Sequence, residues 1–168
     1  MMKTQIILTI LISFFSYLSL NAQENTPTKK LYNPNADAIT DITNAIAIAK
    51  KENKHVLLQI GGNWCSWCIA FDKKVNETEE LKTILNDNYV VYHLNYSKEN
   101  TNSDQLKDLG FPQRFGFPVF VILDSEGNRL HTQNSSYLEE GKGHGIEKVK
   151  EFLESWTVHA LDPEKYKE

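Results

Sequence analysis

The chain holds two cysteines and no more, three residues apart in Gly62-Asn63-Trp64-Cys65-Ser66-Trp67-Cys68. No further cysteine is available to tie distant segments together, so the fold must rest on an apolar core and not on a disulfide scaffold. The pair follows an apolar run over residues 55–60 and a break at Gly61-Gly62-Asn63, the order of a buried strand, a turn and a helix start. Two thiols at this spacing close and open a disulfide without displacing the rest of the fold. At a helix start, the first sulfur faces unpaired backbone N–H groups and the positive end of the helix dipole. That stabilises the thiolate, the form that attacks disulfides.

The ends of the 168-residue chain suggest export. Met1-Met2-Lys3 is a short positive start, residues 6–20 are apolar apart from Thr9, Ser13, Ser16 and Ser19, and Ala22 offers a small residue at a cleavage point. Residues 1–22 are therefore expected to be a cleaved signal peptide, with an uncleaved membrane anchor as the alternative. No cysteine follows the apolar run, which argues against a lipid anchor, and no stable membrane insertion is expected after cleavage. Residues 23–35, polar and carrying Pro27 and Pro34, read as a linker. Residues 36–160 are long enough for one domain with its own core, and residues 161–168 read as a tail. Net charge is −4 with the signs interspersed, and no basic patch with interleaved aromatics marks a nucleic-acid surface. A single adjacent cysteine pair in an oxidising compartment, the periplasm or another exported location, points to redox exchange.

Along the mature chain, Ile39, Ile42, Ala45, Ile46 and Ala49 recur at helical spacing within residues 37–53. A strand is expected at 55–60, a helix at 65–75 continuing over 77–86 after a kink, and a second strand at 89–95. A short helix over 104–109 closes at Gly110, a third strand spans 117–123, and Asp124 to Asn128 signals a hairpin turn into a fourth strand at 129–134. After a glycine-rich loop at 139–145, Ile146, Val149, Phe152, Leu153 and Trp156 mark a closing amphipathic helix. Strands alternating with helices and ending in a hairpin make an α/β chain with a central mixed sheet flanked by helices on both faces.

The strand at 55–60, the turn into Trp64-Cys65-Ser66-Trp67-Cys68, and Gly116-Phe117-Pro118 before a strand and hairpin together resemble the thioredoxin fold, over roughly residues 37–156. The second tryptophan, between the cysteines, is similar to exported bacterial thioredoxin-like proteins. The resemblance implies that Cys65 is the nucleophile and attacks a substrate disulfide, and that Cys68, one turn further in, resolves the mixed disulfide. It implies that Pro118 is cis and that Phe117 offers its backbone to the substrate chain, with Trp64 and Trp67 adding an apolar surface around the cysteines. An ordinary trans proline, and tryptophans that merely pack on the sheet, are the alternatives. No cofactor is implied. A zinc site would need four ligands, and Cys65, Cys68 and His93 fall short of that, so no metal is expected.

Two departures from standard thioredoxins stand out. The buried acid six residues before the first cysteine is replaced by Gln59, which hydrogen-bonds but does not titrate. The matching position on the neighbouring strand is His93, a candidate for proton handling in its place or else a strand residue with no role. The leading functional expectation is an exported thiol–disulfide oxidoreductase, a reductase that acts on disulfide-containing proteins and is recharged by a membrane-bound thiol partner. An isomerase or oxidase of the same fold, and a non-catalytic thioredoxin-like binding module, remain open alternatives.

Overall fold

The computed structural model describes residues 30–167. The segment expected as a signal peptide, 1–22, lies outside them, as do residues 23–29 of the expected linker. Helix α1 spans Ala38–Glu52, capped by Asp37, whose carboxylate accepts the Thr40 N–H at 3.2 Å, and closed by Asn53 in the left-handed region at φ 55°. Strand β1, His55–Gly61, is buried along its whole length. Helix α2 follows at Ser66–Glu77, with Cys65 as its N-cap residue. The chain then extends at Thr78 (φ −98°, ψ 106°) before α3, Glu79–Asn88. The expected kink is thus a full break: Thr78 leaves helical geometry and caps a new helix.

Strand β2 runs Tyr89–Asn95, and a short helix α4 runs Ser103–Asp108. Strands β3, Val119–Leu123, and β4, Arg129–Asn134, form the hairpin. Phe117 and Pro118, expected at the start of the third strand, lie outside it. The ladder begins at Val119, opposite Ile60 and Asn134, and a proline has no N–H to give to it. The expected glycine-rich loop is partly built: β5, Glu139–Glu140, pairs antiparallel with β6, Gly143–His144, around Gly141 at φ 60°. A single helical turn, Ser135–Leu138, precedes it. Helix α5, Ile146–Ser155, and a turn at Pro163–Tyr166 close the chain.

The sheet order is β2-β1-β3-β4, with β1 and β2 parallel and the other pairs antiparallel. This is the expected mixed sheet. Successive residues of β1 point to opposite faces, so it feeds two cores. Val56, Leu58 and Ile60 join Ala45, Ala49, Leu94, Leu106 and Val121 under α1 and α4. Leu57 joins Phe71, Leu81, Phe120, Ile122, Phe152 and Leu153 under α2, α3 and α5. A third, small cluster sits at the carboxyl end of β1, where Tyr32, Cys65 and Cys68 pack together with Leu31 and Phe117 against them. Packing therefore extends upstream of residue 36: Tyr32, within the stretch expected as a linker, is fully buried. No helix of the described residues is long and apolar enough to cross a membrane.

Candidate active site

Strand β1 delivers the chain to the site, and two glycines let it turn there. A Cβ on Gly61 would collide with Cys68 Sγ, and one on Gly62 would collide with the Trp64 indole and press on the Tyr96 carbonyl. Neither position tolerates a side chain without displacing the cysteine loop. Beyond them, Cys65 and Cys68 are joined in a disulfide with Cα atoms 5.3 Å apart.

The two sulfurs are placed differently. Cys65 caps α2: its Sγ accepts the Cys68 N–H at 3.1 Å, and its carbonyl accepts from Ile69 at 3.2 Å. This sulfur thus sits at the positive end of the helix, the position that favours a thiolate over a thiol. Cys65 retains 5% of its surface and Cys68 none. Among the described residues, no group of three or more His, Cys, Asp or Glu side chains is placed to hold a metal.

An aromatic surface surrounds Cys65. Trp64 is more than half exposed, donates its Nε1–H to the Tyr96 carbonyl at 2.7 Å, and meets Phe117 edge to face at 5.4 Å. Tyr96 stacks on the other side of Phe117 at 4.8 Å. Trp64 and Tyr96 also wall a recess of about 450 Å³ with Ser97, Lys98, Glu99 and Thr101. The Phe117–Pro118 peptide bond is cis, and Phe117 packs on the cysteine cluster. Trp67 points the other way along α2, where it meets His144 edge to face at 5.4 Å.

Beneath the pair, Gln59 is buried and directs its amide N–H groups to the Cys68 carbonyl at 3.0 Å and to the Tyr32 hydroxyl oxygen at 2.9 Å. His93 lies opposite Gln59 in the β1–β2 register. Its ring meets the edge of Tyr32 at 5.6 Å, and its Nε2 is 3.3 Å from Asp72 Oδ1 without the alignment of a hydrogen bond. Tyr32 contacts both the candidate proton-handling histidine and the cysteine cluster. The structure thus brings Gln59 and Phe117 to the cysteines, leaves Trp64 exposed next to Cys65, and packs His93 on Tyr32 and Trp67 on His144.

Sequence reasoning did not single out Tyr32, Asn63 or His144. The Asn63 side chain accepts the Tyr32 N–H at 3.1 Å and donates to the Tyr32 carbonyl at 2.7 Å, clamping the incoming segment to the cysteine loop. An apolar Leu31-Tyr32 couple inside a polar stretch is the signal that marks this anchor. His144 is buried against Trp67 and Phe71 with both ring nitrogens unpaired. Burial, and to a lesser degree the Lys74 charge, holds its pKa below the usual histidine value.

The thioredoxin-like family model matches residues 37–125, from α1 through β3. Disulfide bond reductase DsbH of Chlamydia pneumoniae is 24% identical over 92 residues, 51% of this chain and 55% of that protein. Spermatogenesis-associated protein 20 of Rattus norvegicus is 40% identical over 42 residues, 25% of this chain and 5% of that protein. The chain therefore spans about half, or far less, of the length of these relatives. Among solved structures, the disulphide isomerase from Xylella fastidiosa Temecula1 superposes with a TM-score of 0.66 at 25% identity, covering 74% of this chain and 94% of the other.

Proposed function

The chain belongs to the thioredoxin-like family, and on that premise we propose that it is an exported thiol–disulfide oxidoreductase that reduces disulfides in protein substrates. The observation that carries this reading is the asymmetry of the pair. One sulfur caps a helix beside an exposed tryptophan, and the other is buried one turn in. The Cys65 thiolate attacks one sulfur of a substrate disulfide. The substrate S–S bond breaks, a Cys65–substrate disulfide forms, and the displaced substrate sulfur leaves as a thiolate. The Cys68 thiolate then attacks Cys65 Sγ, the mixed disulfide breaks, and the second substrate thiolate departs. Two electrons pass to the substrate, the pair ends oxidised, and the protons lost by its thiols go to the substrate thiolates.

Trp64, Phe117 and Pro118 form the surface on which an extended substrate segment lies, and Trp67, exposed on the His144 side, flanks the cysteines opposite it. Gln59 orients the Cys68 backbone. The reductase direction draws support from the chlamydial relative, itself a disulfide bond reductase. Export draws support from residues 1–22, and recharging by a membrane-bound thiol partner follows from a reductase working in an oxidising compartment. The neighbour described as a disulphide isomerase favours a second reading, isomerase.

The test is turnover on a disulfide-containing protein such as insulin, with Cys65→Ala alongside; equal rates in both proteins would sink the assignment. Direction is read from the reduction potential of the pair. A value near thioredoxin's, about −270 mV, supports a reductase, and one near the strong oxidants, about −120 mV, reverses it. Faster recovery of a scrambled-disulfide protein without net reduction would favour the isomerase.

A further inference from the structure

Tyr32 is among the largest fully buried side chains of the protein, and it is buried at the cysteines, not in either main core. A phenol offers one O–H donor as well as acceptor lone pairs. Gln59 fills the acceptor side by donating to Tyr32 Oη at 2.9 Å. Among the described residues, the Tyr32 O–H proton itself has no acceptor while the disulfide is closed. A side chain on Gly61 would press on Tyr32 Oη at 3.1 Å and collide with Cys68 Sγ. The hydroxyl and the sulfur therefore flank the same small space, which the missing Gly61 side chain leaves open.

Reduction changes the chemistry of that space. Opening the disulfide leaves Cys68 Sγ as a buried thiol or thiolate, and a buried thiolate is costly without a hydrogen-bond donor. Gln59 is already committed, with amide N–H groups on the Cys68 carbonyl and on Tyr32. The phenol is the remaining polar group in the cluster. It is held in place by the two-way Asn63 clamp on its backbone. The titratable groups facing it are His93 from β2 and, behind His93, Asp72 from α2.

We propose that in the reduced protein the Tyr32 hydroxyl donates a hydrogen bond to Cys68 Sγ, stabilises that thiolate, and so sets the rate at which Cys68 resolves the mixed disulfide. This rests on the exchange chemistry proposed above and assigns a role to a residue lying before the family match. Burial holds the Tyr32 ionisation well above its ordinary value, so the phenol keeps its proton and faces the sulfur as a donor while its oxygen accepts from Gln59. The Gln59 bond to its oxygen polarises the O–H and strengthens it as a donor. When Cys68 attacks, its electron pair enters the new Cys68–Cys65 bond, the Tyr32 bond to that sulfur is given up, and the substrate thiolate leaves.

The test uses the reduced protein and the chromogenic disulfide dithiobis(nitrobenzoate), whose two thionitrobenzoate groups are released in sequence, the first by Cys65 and the second by Cys68. In Tyr32→Phe, which removes only the hydroxyl, the midpoint of the second release should move up by about one pH unit. That cuts the thiolate fraction about tenfold near neutral pH, and the higher nucleophilicity of the less acidic thiolate leaves the second release about three- to fourfold slower, with the first release unchanged. An unchanged second-release profile overturns the Tyr32 role and leaves the exchange reading standing. A wild-type protein that never makes the second release overturns both. If Tyr32→Phe does not fold, as judged by circular dichroism, Gln59→Leu takes its place. That variant keeps the phenol but loses its polarising partner, so it should shift the same midpoint in the same direction by less, about 1.5- to 2-fold in rate near neutral pH. No shift there overturns the role.

Discussion

The two sulfurs of one disulfide, on Cα atoms 5.3 Å apart, face different surroundings. The Cys65 side is helix N-terminus and aromatic surface: a backbone N–H aimed at the sulfur, with Trp64 exposed beside it and Phe117 below. The Cys68 side is a sealed polar pocket, in which Gln59, Tyr32 and a glycine without a side chain enclose the second sulfur. In the proposed cycle the outer sulfur meets a foreign disulfide and the inner one waits behind it. The difference lies in what each sulfur touches, because the spacing of the cysteines is symmetric with respect to either role.

The strongest way to break this comparison is to delete each sulfur in turn. Cys65→Ala should abolish protein-disulfide reduction. Cys68→Ala should keep the first attack and accumulate a covalent substrate complex, visible as a reducible band on a non-reducing gel. Complexes formed equally by both variants would make the sides interchangeable. Next in size is Gly61→Ala, which puts a methyl group into the space that Cys68 Sγ occupies. Overpacking there should lower stability by about 1–3 kcal/mol in denaturant unfolding, with the loss larger for the oxidised protein if the closed disulfide fills that space.

Asn63→Ala probes the inner side alone. Removing both arms of the Tyr32 clamp should cost about 1 kcal/mol and loosen the Tyr32 backbone, read as faster amide exchange at Tyr32. The smallest effect is expected at His144, behind Trp67 on the flank of the site. Its pKa is lowered by burial first and Lys74 second, so the unfolded chain binds the proton before the folded one does. The stability tied to neutral His144 is complete above about pH 6.5 and declines as the pH falls through that value toward the lower folded one. Lys74, Glu140, Lys142 and Glu147 line the same recess. The readout is therefore the difference between wild type and His144→Leu in unfolding midpoint on acidification; parallel curves would remove His144 from the account.

Much of this arrangement was legible in the residues, and the exceptions are instructive. The largely apolar runs at 55–60 and 89–95 lie within β1, buried along its whole length, and β2, buried at its ends and half-buried between them. The β1–β2 register does put Gln59 opposite His93. What Gln59 touches was not legible, since its partner Tyr32 lies 27 residues upstream in a polar stretch whose composition speaks for a linker. One aromatic residue, its backbone exchanging two hydrogen bonds with the Asn63 side chain, outweighs that composition. The break at Thr78 and the small ribbon at Glu139–His144 were similarly hidden. Both depend on tertiary packing of short segments, where local propensity is weak.

The most direct test of the two-sided site is the ionisation of each thiol in isolation. Rates of alkylation by iodoacetamide are followed against pH for Cys65 in Cys68→Ala and for Cys68 in Cys65→Ala. The helix terminus should hold the Cys65 midpoint below the ordinary thiol value of about 8.5, and burial should leave Cys68 the higher of the two and the slower to react. Equal midpoints, or a Cys68 midpoint below that of Cys65, would contradict the assignment of attack to the outer sulfur and resolution to the inner one.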